Sequence, residues 1–188
     1  MKVYSIAIDG PAGSGKSTIA KILSERLGIV YVDTGAMYRT VAYYCIKNGI
    51  PTTDGQAVAE ALKSIKLDIE MKDGVQHMLL NGEDVTAFIR TAEVGQGASD
   101  VGTFLPVRDR LVEIQQEMAA KISVVMDGRD IGTVVLPKAE VKIYLNAHVE
   151  ERAKRRLKEF ELAGKSCSLE EVVEQIKVRD HNDMTREY

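Results

Sequence analysis

Eight consecutive residues constrain this chain more than any others. Gly10-Pro11-Ala12-Gly13-Ser14-Gly15-Lys16-Ser17 fits the pattern G-x-x-x-x-G-K-[ST]. Average residue frequencies produce such a match by chance in about one chain in a hundred of this length. The flanks make chance a poor explanation. Val3 to Asp9 is short, β-branched and nearly all apolar, as suits a strand buried on both faces of a parallel sheet. Ser17 to Leu27 then places Ile19, Ile22, Leu23 and Leu27 at helical spacing, and Gly28 stops the run. Glycines let a backbone approach an anion closely, and consecutive N–H groups beside a helix N-terminus hold phosphate oxygens. Lys16 is placed to reach the β- and γ-phosphates and the Ser17 hydroxyl to meet Mg²⁺. Gly10 through Ser17, with Thr18, are therefore candidate triphosphate-binding residues. The second substrate stays open at this point.

The rest of the chain alternates strands and helices. Ile29 to Val32 reads as a strand and Thr34 to Lys47 as a helix closed by Asn48-Gly49. Gln56 to Ile65 reads as a helix. Leu67 to Thr86 changes texture: turns at Lys72-Asp73-Gly74 and Asn81-Gly82 predict a small antiparallel meander. Helices are expected over Ile89 to Ser99 and Val107 to Ala120, the second opened by Pro106. Ile122 to Met126 and Val141 to Leu145 read as strands. His148 to Leu162 reads as a charged helix, Gly164-Lys165-Ser166 as a break, and Ser168 to Arg186 as a last helix whose Ser168 and Glu171 form a capping box. The pattern predicts an α/β fold, a three-layer α/β/α arrangement around a parallel sheet, with ligands beyond the carboxyl ends of its strands.

At 188 residues the chain is expected to form a single domain. Its net charge of −3 argues against binding long nucleic acid or an anionic membrane face. Two separated cysteines, Cys45 and Cys167, exclude a disulfide framework and a zinc ribbon. The N-terminus enters a strand at once, without a leader, and no long apolar run follows. A cytoplasmic monomer is expected.

Phosphate loops serve switches, motors and small-molecule kinases. The guanine-reading N-K-x-D motif and an LSGGQ-type signature are absent, and the chain is short for a motor. A kinase for a small acceptor is the first reading; a nucleotide-driven switch is the alternative. Transfer between two phosphates needs cations aimed from several directions. Candidates stand where ligands should lie: Tyr38-Arg39 after Asp33-Thr34-Gly35, Arg129 within Asp127-Gly128-Arg129-Asp130, Arg179, Asp183 and Arg186 on one helical face, and Arg152, Arg155 and Arg156 on another. Each alone also reads as an ordinary solvated charge or an i,i+4 pair.

Four segments carry a more specific signal. VDTGAMYR (32–39), IRTAEVGQGAS (89–99), DGRDIGTVVLP (127–137) and RDHNDMTRE (179–187) resemble the bacterial cytidylate kinases, a group of nucleoside monophosphate kinases with a P-loop. The resemblance implies transfer of the γ-phosphoryl group of MgATP to CMP or dCMP. It implies an insert for the monophosphate at 67–86 and a lid at 148–168. Arg39, Arg129 and Arg186 would hold the acceptor phosphate, and Arg179 with Asp183 the ribose. Ser99, Arg108 and Asp130 would read cytosine, with Gly128, Thr34 and Tyr38 lining the pocket. Arg152, Arg155 and Arg156 would close on the donor phosphates; Arg152 and Arg156, with Lys16, Arg129 and Arg186, make up the expected catalytic set. Ser17 would meet Mg²⁺ held by ATP. A carboxylate accepts from the cytosine amine but repels the uracil carbonyl, so CMP is expected over UMP. The family pattern continues past RE(Y) with a strand and a helix that supply part of the adenine pocket. That segment is expected and absent from these 188 residues.

Overall fold

The computed structural model describes residues 3–72, 74–162, 164 and 166–185. Four parallel strands form the main sheet: β1 (Ser5–Asp9), β2 (Val30–Asp33), β6 (Val124–Gly128) and β7 (Val141–Tyr144), in the order β2-β6-β1-β7. The register sets Asp9 opposite Gly128 and Tyr144, and Asp33 opposite Asp127. The carboxyl ends of all four strands therefore share one edge. The phosphate loop, the start of the second helix and the Gly128–Asp130 segment all leave from it.

β1 and β6 are the inner strands, and their side chains are almost wholly buried. α1 (Lys16–Leu27) covers one face, where Ala20 packs against Ile6, Ile8 and Val125. α5 (Leu105–Lys121) covers the other, where Val112 meets Ala7, Val32, Val124 and Met126. This is the expected three-layer α/β/α arrangement. α1 ends at Gly28, whose left-handed φ of 62° places its N–H on the Ser24 carbonyl.

α2 (Thr34–Lys47), α3 (Gly55–Leu62) and α4 (Ala92–Val101) build a second core around Met37, Val41, Cys45, Val58 and Val101. An antiparallel sheet of β3 (Leu67–Lys72), β4 (Val75–Leu80) and β5 (Glu83–Asp84) closes this core with Leu67, Met78 and Leu80. Gln76 on β4 ties that small sheet to the large one. Its Oε1 accepts the Asp33 N–H at 2.7 Å and its Nε2 donates to the Asp33 carbonyl at 3.2 Å. α6 (Val149–Leu162) and α7 (Leu169–Thr185) pack on each other through Ala153, Val172 and Ile176. The Ser168–Glu171 capping box forms with both bonds, at 2.8 and 3.1 Å.

Several element ends shift by two or three residues, as where α3 stops at Leu62 rather than Ile65 and β6 runs Val124–Gly128 rather than Ile122–Met126, and three further details differ from the sequence expectation. α4 begins at Ala92, not Ile89, because the Thr91 hydroxyl caps the Val94 N–H while Ile89 is buried in the core. α5 begins at Leu105 with Pro106 inside its first turn. Ile131–Val135 forms a wide π-helical turn that the sequence did not reveal. It hangs from Asp9, whose buried carboxylate accepts from Ile131 N–H at 2.7 Å and Gly132 N–H at 2.8 Å.

Candidate active site

The loop after β1 has the conformation its glycines permit, with Gly13 at φ 74° and Gly15 at φ 98°. Gly10 is there for room: a Cβ at this position would lie 2.0 Å from the Leu145 carbonyl oxygen. Lys16 is 5% exposed, and its Nζ donates to the Pro11 carbonyl at 2.8 Å. Burial first, and the nearby Arg129 cation second, push its pKa down to about 8. Ser17 Oγ donates to Asp127 Oδ2 at 2.9 Å, and the Tyr31 hydroxyl donates to Asp127 Oδ1 at 2.8 Å. Burial and the Asp33 carboxylate push the Asp127 pKa up, and burial beside Asp127 pushes that of Tyr31 up.

Two cavities meet at this loop. The first is about 400 Å³ and is lined by Thr34, Tyr38, Arg39, Ser99, Gly128, Arg129, Asp130, Arg179 and Asp183 from the expected acceptor set. The second is about 570 Å³ and is lined by Gly15, Thr18, Arg152 and Arg155. Ala12, Gly13, Lys16, Ser17, Arg156 and Arg179 line both. Gly10, Pro11 and Ser14 belong to the loop and line neither cavity. Arg186 lies outside the described residues.

The cations are held in place. Arg39 Nη2 donates to Asp33 Oδ2 at 2.7 Å, and the exposed Arg90 stands 3.7 Å from the same oxygen. Arg129 Nε donates to Asp183 Oδ2 at 2.6 Å. Burial first, and then Arg129, push the Arg179 pKa down to about 10, which leaves the guanidinium fully charged at neutral pH. The Thr34 hydroxyl donates to the Asp127 carbonyl at 2.7 Å. Arg155 Nη1 donates to the Gly13 carbonyl at 3.3 Å, and Arg156 pairs with Glu159 at 3.2 Å while resting on the Phe160 ring.

Two arginines are placed otherwise than expected. Arg152 is buried and gives its donors to the protein: Nε to Ala147 O at 3.0 Å, Nη1 to Ala12 O at 3.2 Å, and a fork to both Asp180 oxygens at 3.0 and 2.6 Å. It ties α6 to α7 and to the loop, and it lines the second cavity from there. Arg108 is 1% exposed, pairs with Asp130, and does not line the cavity. Asp130 stands between it and the site. Sequence reasoning gave no role to Asp127, Asp180 or the Asp33 side chain. Asp127 was visible inside DGRD, but only its burial beside Ser17 reveals a role. Among the described residues no group of three acidic, histidine or cysteine side chains is placed to hold a metal ion. The Ser17 hydroxyl and Asp127 carboxylate are the hard oxygen ligands that suit Mg²⁺ carried by phosphates.

Comparison with known proteins points one way. The sequence profile of the family described as cytidylate kinase matches residues 6–188. A protein of Caldicellulosiruptor bescii named cytidylate kinase is 52% identical over 188 residues, 100% of this chain and 83% of its own length. Proteins of the same name from Caldicellulosiruptor saccharolyticus and Leuconostoc mesenteroides are each 49% identical over 187 residues. Those matches span 100% of this chain, with 83% and 84% of the relatives' lengths.

Proposed function

Since the chain belongs to the cytidylate kinase family, we infer that it transfers the γ-phosphoryl group of MgATP to CMP or dCMP, giving ADP and CDP or dCDP. The observation that carries this reading is the pair of cavities that meet at Lys16 and Ser17 under Arg179. Donor and acceptor phosphates entering from opposite sides would face each other there.

The loop N–H groups and Lys16 would cradle the donor phosphates, with Arg155 and Arg156 on their outer side. Mg²⁺ would be held through Ser17 and Asp127 and would neutralise charge on the β- and γ-oxygens. Arg39, Arg129 and Arg186 would hold the acceptor phosphate, and Arg179 with Asp183 the ribose hydroxyls. An acceptor phosphate is already ionised, so positioning and charge neutralisation do the chemistry without a general base. Asp130 and Ser99 would read the base, with Arg108 paired to Asp130 from behind. The small sheet of β3–β5 would serve as the monophosphate insert and α6–α7 as the lid. The reading includes a cytoplasmic monomer. No described helix is long and apolar enough to cross a membrane, and Cys45 and Cys167 are free thiols, as a reducing compartment keeps them.

The test is ATP consumption with CMP, dCMP, UMP, AMP and shikimate as acceptors. Turnover confined to CMP and dCMP is expected; slow hydrolysis that no monophosphate stimulates would overturn the reading in favour of a switch. Asp130→Asn keeps a partner for Arg108 but presents an N–H to the exocyclic position. The kcat/KM preference for CMP over UMP should fall about a hundredfold. An unchanged preference would remove Asp130 from base recognition.

A further inference from the structure

Among the described residues, Gln115 has a place in the wall of the first cavity and no hydrogen bond within the protein. It sits on the buried face of α5 at 1% exposure, and it lines the first cavity beside Asp130 and Ile131. Neither its Nε2 nor its Oε1 has a hydrogen-bond partner. The next residue, Gln116, does what a buried amide ordinarily does, donating to the Val135 carbonyl at 3.0 Å. Native interiors rarely leave a carboxamide unmet at both ends, and a leucine or methionine would fill the same space at no such cost. Arg108 lies two turns earlier on the same helix face, but it is turned to Asp130 and does not line the cavity. One of the two donors expected to face the base, Arg108, is therefore absent from the wall beside Ser99, and an unused amide is present in it.

We propose that Gln115 is an acceptor-base contact, its Nε2 donating to the ring N3 of cytosine and its Oε1 accepting from the 4-amino group. This rests on the cytosine reading given above. An amide presents a donor and an acceptor side by side, the pairing that Gln and Asn make with the like-arranged edge of adenine. Turned over, the same amide meets the N3–H and O4 of uracil. Gln115 thus adds affinity for either pyrimidine, while Asp130 discriminates between them. As the side chains stand, neither end of the amide is open to water. Base entry must therefore turn the floor residues.

The experiment is Gln115→Met, assayed for KM and kcat with CMP and UMP, for KM with ATP, and for Tm with and without CMP. The expected result is a rise of about tenfold in KM for both pyrimidines by the same factor. The kcat at saturation and the KM for ATP should hold, and Tm without nucleotide should stay level or rise. An unchanged KM for CMP overturns the proposal. So does a fall in Tm with ATP and CMP affected alike, which is the mark of a packing role. Failure of the underlying reading looks different: the wild-type protein itself would show neither turnover nor a Tm shift with CMP.

Discussion

Lys16→Met lowers kcat by about a thousandfold with MgATP and CMP both saturating, while the protein stays folded. The side chain is buried at the meeting point of the two cavities and is the cation nearest the loop's own carbonyls. Methionine fills its volume without its charge. The folded pKa of about 8 lies below the 10.5 of a free lysine, so between those values the unfolded chain binds more protons. The ammonium therefore costs stability below about pH 8, and the cost fades as pH rises through that window. Removing it should leave Tm level or higher, and a large fall in Tm would mean that the lysine is structural. The wild-type protein carries a companion signature. Phosphates favour the charged lysine, so ATP affinity should weaken as pH rises past about 8 and that dependence should vanish in the variant. Stopped-flow nucleotide binding across pH 7 to 10 checks this, and a flat profile in the wild type would remove Lys16 from phosphate contact.

Gly10→Ala is the second large effect, and it acts on stability first. The added Cβ would stand 2.0 Å from the Leu145 carbonyl oxygen and 3.0 Å from its carbon, at a φ of +146° that L side chains rarely adopt. Both obstacles are backbone and neither turns aside. The loop and the end of β7 must part, straining the bond from Leu145 N–H to the Asp9 carbonyl at 2.7 Å. The cost is about 3 kcal/mol, a fall in Tm of about 10 °C, with ATP binding lost as the loop shifts. Gly28→Ala is the control: its φ of 62° is left-handed, but nothing lies within 4 Å of the added carbon. It should cost only about 1 kcal/mol. Equal Tm values for the two variants would refute the close-approach argument.

What could be read in the sequence was local. The phosphate loop, the Thr34–Lys47 helix, the meander and the Ser168 capping box each announce themselves within a few residues, and all four are present. What could not be read depends on residues far apart in the chain. The π-helical turn exists because Asp9 reaches residues 131 and 132. In sequence Arg152 reads as one of three equivalent lid cations, and only the packing of α6 on α7 sets its guanidinium in a fork against both Asp180 oxygens. Arg108 and Gln115 occupy one helix face at a spacing of two turns, yet only packing shows that the first is shielded by Asp130 and the second lines the cavity. Periodicity reports which face is buried and is silent on what that face meets.

The strand order also has a consequence for how the molecule comes into being. β1 and β2, consecutive in the chain, never touch; β6 lies between them, pairing Ser5 with Val124 and Val30 with the same residue. A chain emerging from the ribosome can assemble the α2–α4 core and its small sheet early, from neighbours in sequence. The main sheet must wait for β6, a long loop closure of the kind that slows folding. Until then β1 has no strand beside it, and the nucleotide loop has no Asp127 behind Ser17. The phosphate loop thus becomes functional only once β6 has arrived, and the apolar β1 is a segment a chaperone would need to shield until then.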